Sequence, residues 1–194
     1  MKSIFESREF KSYQKSSLYE ARGAIPERYT YASFTTVFIS HKHDDLDDLK
    51  DIIGFLESKY NVKVYIDSRD PTMPPIPSGK TASNIKNRIK KCDKFMLLAT
   101  NGAIESKWCN WELGFGDAQK YRRHIAIFPI KPAGTYDSSY KGHEYLSIYP
   151  YIAYYNGTET YTNGSYVDRG YYVCTLREDG VKEITPLSKW LSDR

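Results

Sequence analysis

Four short apolar runs, separated by segments with helical spacing, limit the fold of this chain more than any other feature. They are TTVFIS at 35–40, VKVYID at 62–67, KFMLLAT at 94–100 and HIAIFPI at 124–130. Between the first two, Leu46, Leu49, Ile52, Ile53 and Leu56 recur with the period of a helix. A basic helix, capped by Thr81 or Ser83 and ending near Cys92, precedes the third run, and a helix carrying SKWCNWELGFGDAQKY precedes the fourth. Strands that are apolar on both faces and alternate with helices make a parallel sheet covered on both sides. The expected fold class is therefore α/β, a doubly wound, flavodoxin-like parallel sheet with helices on both faces.

The flanks read less clearly. Residues 1–33 show no sustained period, because Gly23 and Pro26 interrupt whatever Ile4, Phe5, Phe10, Tyr13 and Leu18 begin. They are expected to be an N-terminal extension to a domain spanning 34–194. The second strand leads into a loop at 68–80 punctuated by Pro71, Pro74, Pro75, Pro77 and Gly79, where neither helix nor sheet can persist. Connections of that length are usually functional. Beyond Pro132 a last strand at 171–176 and a terminal helix opened by Pro186 are expected, and the tyrosine-rich segment 136–172 has no assignable element.

Charge and cysteine usage exclude several classes. A net charge of +4 spread along the chain is too weak for a nucleic-acid footprint, which should be a concentrated stripe. The densest basic run, Lys86, Arg88, Lys90 and Lys91, shares a helix with Ile85 and Ile89 and reads either as a solvated face or as a surface that meets an anionic substrate. Three cysteines, an odd number without a Cys-x-x-Cys pair, support neither a disulfide framework nor a zinc site. No apolar leader opens the chain, and no apolar run approaches the roughly 18 residues of a spanning helix, so the expected compartment is the cytoplasm. The sequons at Asn156 and Asn163 consequently read as turns.

In open parallel sheets, ligands bind where loops leave the carboxyl ends of the strands. Trp108 and Glu112 lie four apart in the helix after the third strand and so share one face. If that face looks into the crevice, an aromatic platform adjoins a carboxylate. In the alternative, Trp108 and Trp111 belong to the core and Glu112 makes a surface ion pair. Gly79-Lys80-Thr81 resembles the tail of a phosphate-binding loop, but Pro74 stands where the first glycine belongs. His41 and His43 flank Lys42 without any accompanying cluster of Cys, His or acidic residues, so no metal is expected.

Taken together, VFISHKHDD, VKVYIDSRD with the later SGK, the Ile85, Ile89, Cys92 and Asp93 set, and above all SKWCNWELG resemble a Toll/interleukin-1 receptor (TIR) domain from about Phe34 to Arg194. The loop after the second strand departs from the family in its prolines and its length. The resemblance is to the branch of TIR domains that cleaves the nicotinamide N-glycosidic bond of NAD+. It implies Glu112 as the catalytic carboxylate and Trp108 as a platform for a flat base. It further implies that Ser40 and His41 line the nicotinamide ribose and base, and that Lys42 and Arg69 meet phosphates. NAD+ would be the substrate, with no cofactor.

The resemblance also extends to stand-alone bacterial TIR proteins of anti-phage systems such as Thoeris. That implies a diffusible ADP-ribose-derived product sensed by a partner effector, and a homo-oligomer built through TIR–TIR contacts at the 68–80 loop. Two other readings remain open at this point: a non-enzymatic TIR interaction module, and an enzyme like the nucleoside deoxyribosyltransferases, which also use a glutamate on a base–ribose bond.

Overall fold

Parallel pairing organises the centre of the molecule. A computed structural model describes residues 1–18, 34–66 and 79–193. Its first strands are β1 (Phe5–Glu6), β2 (Thr35–Ser40), β3 (Val62–Ile66), β4 (Lys94–Thr100) and β5 (Ile125–Lys131). The helices between them are α1 (Leu46–Lys59), α2 (Gly79–Lys91), α3 (Asn101–Glu105) and α4 (Lys107–Lys120). They are followed by α5 (His143–Ile148), β6 (Tyr151–Tyr155), β7 (Gly170–Leu176), β8 (Lys182–Pro186) and α6 (Leu187–Ser192). The sheet order is β3-β2-β4-β5-β6-β7-β8, with β3, β2, β4, β5 and β6 parallel. Each of the four apolar runs is a strand within a residue of its expected bounds, and the fold is doubly wound α/β.

The carboxyl-terminal edge differs from a wholly parallel sheet. β7 runs antiparallel to β6, and β8 antiparallel to β7. For β8 the connection is the cause: it is joined to β7 by a tight turn through Gly180 at φ +78, and only antiparallel neighbours can be linked so briefly. Asn156 and Asn163 sit in the β6–β7 connection, where each side-chain oxygen accepts from the backbone N–H and hydroxyl two residues on, at Thr158 and Ser165. These are turns, as the sequons suggested. The tyrosine-rich segment thus supplies α5, β6 and the start of β7, and buries Tyr140, Tyr151, Tyr155 and Tyr172.

Strand side chains alternate between two cores. Val37, Ile39, Val64, Met96, Leu98 and Phe128 face α1 and α6, while Phe38, Phe95, Leu97, Ala99 and Ile127 face α2, α3 and α4. On the second face α4 lies so close to β4 that a Cβ at Gly116 would sit 2.8 Å from the Phe95 ring.

Residues 1–18, set apart by the sequence, are built into the first core. β1 pairs in parallel with the carboxyl end of β5, Phe5 opposite Ile130, and Lys2 bridges to Tyr154 of β6. Phe5 and Phe10 join Phe55, Phe128 and Tyr171 in an aromatic cluster with neighbouring centroids 4.8–6.5 Å apart. Arg8, at φ +68, turns the chain onto α1: its N–H donates to Asp48 at 2.7 Å, and its guanidinium pairs with Asp47 at 2.9 Å and buried Asp51 at 3.3 Å. Asp47, Asp48 and Asp51 of α1 thus anchor the N-terminal segment, beyond the complement that acidic residues give to a helix N-terminus.

Candidate active site

β2 is where the order of the sheet reverses, with β3 on one side and β4 on the other. Loops leaving its carboxyl end and that of β4 run in opposite directions and leave a crevice between them. Ser40 is the last residue of β2 and is fully buried on the face covered by α4.

Two short caps carry the chain from β4 to that helix. The Thr100 hydroxyl accepts from the Ala103 N–H at 3.0 Å and starts α3; the Ser106 hydroxyl accepts from the Cys109 N–H at 3.3 Å and starts α4. Asn110 ties the two helices by donating to the carbonyls of Ile104 and Ser106, and the Tyr145 hydroxyl of α5 donates to Asn110. Glu112, one turn further on, is 1% exposed and accepts a hydrogen bond from Ser40. This placement removes the alternative in which Glu112 is a surface residue.

Asp45 closes the turn that carries the chain from β2 to α1. Its carboxylate accepts from the Thr100 hydroxyl at 2.5 Å. Burial pushes its carboxyl above the usual range; the Thr100 bond opposes that shift, Asp48 and Asp44 add to it, and Lys42 counters it. The buried Cys109 thiol is raised first by burial, and the Glu112 and Asp45 charges add to that, with the Ser106 and Ser40 bonds opposing. Neither Asp45 nor Cys109 was picked out as a site residue by the sequence, although a Thr-x-x-Ala start after an apolar strand marks the cap that holds Asp45.

Trp108 and Trp111 are half-buried, with ring centroids 4.9 Å apart, and Trp111 continues to Phe115 at 6.3 Å. From α2, Lys86 lies over both Trp111 and Phe115, at 5.6 and 5.5 Å, and Lys90 lies 5.8 Å from Phe115. Arg88 donates to the Ile66 carbonyl at the end of β3. The basic run is thus solvated at Lys90 and Lys91, while Lys86 and Lys90 lie over an aromatic row and Arg88 holds a strand end.

His41 follows Ser40 and is half-buried. Lys42 lies across the first turn of α3, where a Cβ on Gly102 would come within 2.8 Å of its side chain, and its ammonium is 3.4 Å from Asp44. Arg69 and most of the 68–80 loop lie outside the described residues; its last two, Gly79 and Lys80, already belong to α2, so the helix starts ahead of the expected caps at Thr81 or Ser83. Among the described residues no group of three or more His, Cys, Asp and Glu side chains is placed to hold a metal ion.

The TIR domain profile matches residues 37–163, well over half of the chain. The chain belongs to the TIR domain family. Within it, the chain is similar to a protein of Bacillus cereus (strain MSX-D12) named "Probable 3' cyclic ADP-D-ribose synthase ThsB'", with 29% identity over 146 residues. The match covers 74% of this chain and 65% of that protein, a little under two thirds of its length. In this TIR domain, Ser40, Cys109 and Glu112 all fall inside the matched profile, whereas β1, β7, β8 and α6 fall outside it. No helix among the described residues is long and apolar enough to cross a membrane.

Proposed function

We propose that this TIR domain cleaves the nicotinamide N-glycosidic bond of NAD+ and closes the ADP-ribosyl product into a cyclic ADP-ribose. The observation that carries the reading is the buried Glu112 carboxylate, held by Ser40 at the switch point of the sheet, with Trp108 one turn before it on α4. The cyclic product is carried over from the name of the Bacillus cereus relative. By the resemblance to the TIR proteins of Thoeris-like systems, the product would serve as a diffusible signal in anti-phage defence, read by a separate effector.

The chemistry suits a single central carboxylate. Nicotinamide is cationic in NAD+ and departs as a neutral base, so its departure needs no general acid, unlike an O-glycoside. Positive charge grows at the anomeric carbon of the ribose as the bond breaks. An ionised carboxylate beside that carbon, shielded from water, attracts the transition state more than the bound substrate, and that difference is catalysis. Ser40 fixes one oxygen of Glu112, so the carboxylate need not reorganise as charge develops. Because Glu112 is shielded from solvent, binding has to displace side chains around it, and Trp108 would receive a flat base. His41, Lys42 and Arg69 would complete the substrate contacts on the β2 and β3 sides.

Incubation of purified protein with NAD+, and separately with deoxynucleosides, followed by chromatographic separation of the products, tests the proposal. Release of nicotinamide with a cyclic ADP-ribose is expected. Base exchange on deoxynucleosides without nicotinamide release would indicate a deoxyribosyltransferase, and no turnover of either would indicate an interaction module.

A further inference from the structure

We propose that Asp45 is the second carboxylate of this site and the base that takes the proton from the hydroxyl closing the ring. This rests on the reading that the chain makes a cyclic ADP-ribose by attack of a ribose hydroxyl. In that step the bond between the anomeric carbon and nicotinamide breaks with its electron pair going to nicotinamide. The hydroxyl oxygen forms the new bond to the same carbon, and its proton passes to the Asp45 carboxylate and then to solvent. Glu112 is ill suited to that task, since it has to stay ionised beside the anomeric carbon while positive charge is present there.

Three observations converge on Asp45. It lies in the 43–45 turn that follows Ser40, the residue that holds Glu112, and its charge, like that of Glu112, is felt at the Cys109 thiol. One of its oxygens is fixed by Thr100 at 2.5 Å, and Thr100 is itself locked by the Ala103 N–H at 3.0 Å, so the group is pre-oriented. The groups that face it are Lys42 and Asp44 from its own turn, Asp48 from α1 and Thr100 from β4, and its charge reaches the Cys109 thiol of α4. Burial and the two aspartates favour its taking up a proton. Asp44 and His43, the other acidic and basic groups of the turn, are exposed.

Asp45→Asn separates this role from a structural one, because Asn still accepts the Thr100 hydrogen bond while losing the basic oxygen. Wild type, Asp45→Asn, Thr100→Val and His41→Gln are each incubated with NAD+ across the pH range in which they stay folded, and cyclic product is measured per nicotinamide released. In Asp45→Asn that ratio is expected to fall at least about tenfold, with linear ADP-ribose in place of the ring. Thr100→Val withdraws a bond that favours the ionised carboxylate, so the pH midpoint of ring closure moves upward, which loss of a mere cap would not cause. An unchanged ratio in Asp45→Asn, or a collapse in His41→Gln alone, overturns the inference. Wild-type protein that releases nicotinamide but forms only linear ADP-ribose overturns it while leaving cleavage standing. Absence of nicotinamide release from wild type overturns the parent reading.

Discussion

The Ser40 hydroxyl donates a hydrogen bond to the buried Glu112 carboxylate, joining the end of β2 to the middle of α4 across 72 positions of sequence. Ser40 has no solvent exposure and Glu112 almost none, so the pair lies where an unmet charge is costly. Ser40→Ala leaves the carboxylate short of a donor. We expect loss of about 1–3 kcal/mol of stability by urea unfolding. Nicotinamide release should slow about tenfold, the equivalent of about 1.4 kcal/mol of barrier. Wild-type rates in the variant would show that the bond positions nothing used in catalysis.

Trp108 tests whether the aromatic row on α4 serves binding or packing. Its ring is half-buried and 4.9 Å from Trp111, so removal takes away a platform without opening the centre of the core. Trp108→Ala should raise KM and lower kcat/KM by an amount equivalent to about 1–3 kcal/mol if a base stacks there. A lowered Tm with unaltered kinetics at a temperature where the variant stays folded would assign Trp108 to packing alone.

At the opposite pole, Lys94 starts β4 almost wholly buried, 2.9 Å from His124 Nδ1 and 4.8 Å over the Trp190 ring. Burial lowers its pKa from 10.5 to about 8; Arg123 and Lys120 push the same way, and Asp193 and Asp93 oppose. Between those two values the unfolded chain holds a proton that the folded chain has lost, so this residue makes folding more favourable as pH rises through that window. Half-buried tyrosines such as Tyr60 and Tyr171, pushed up to about 12 by desolvation, act in the reverse sense at higher pH, so the comparison has to be between variants. Lys94→Met should remove the gain, worth about 1–3 kcal/mol by urea unfolding on either side of the window. A gain that persists in Lys94→Met would place its origin elsewhere.

The sequence revealed what periodicity and apolar runs encode. Strands β2 to β5 are apolar on both faces, and Leu49, Ile52, Ile53 and Leu56 mark the inner side of α1, so the parallel core of the fold could be read directly. β1 is only two residues long and leaves no period, and Arg8 sits in a conformation that favours glycine, so nothing announced that residues 1–18 complete the sheet. β7 was expected as a strand, but its antiparallel direction and the existence of β8 were not, because strand direction is not written in an apolar pattern. In the site, spacing placed Trp108 and Glu112 on one helix, but the Ser40 contact depends on which strands adjoin. Asp45 was hidden because an acidic residue ahead of a helix has an ordinary explanation in the helix dipole.

The central claim is that the Glu112 charge, and not merely its shape, carries the reaction. Glu112→Gln keeps an oxygen that accepts the Ser40 hydrogen bond and nearly the same volume, so the fold should survive while the charge is lost. The direct measurement is the rate of nicotinamide release from NAD+ by the variant and by wild type, alongside the Tm of each. A fall of at least about a hundredfold, equivalent to about 2.7–4 kcal/mol of barrier, with little change in Tm is the outcome expected. Nicotinamide release at the wild-type rate from folded Glu112→Gln would contradict the account.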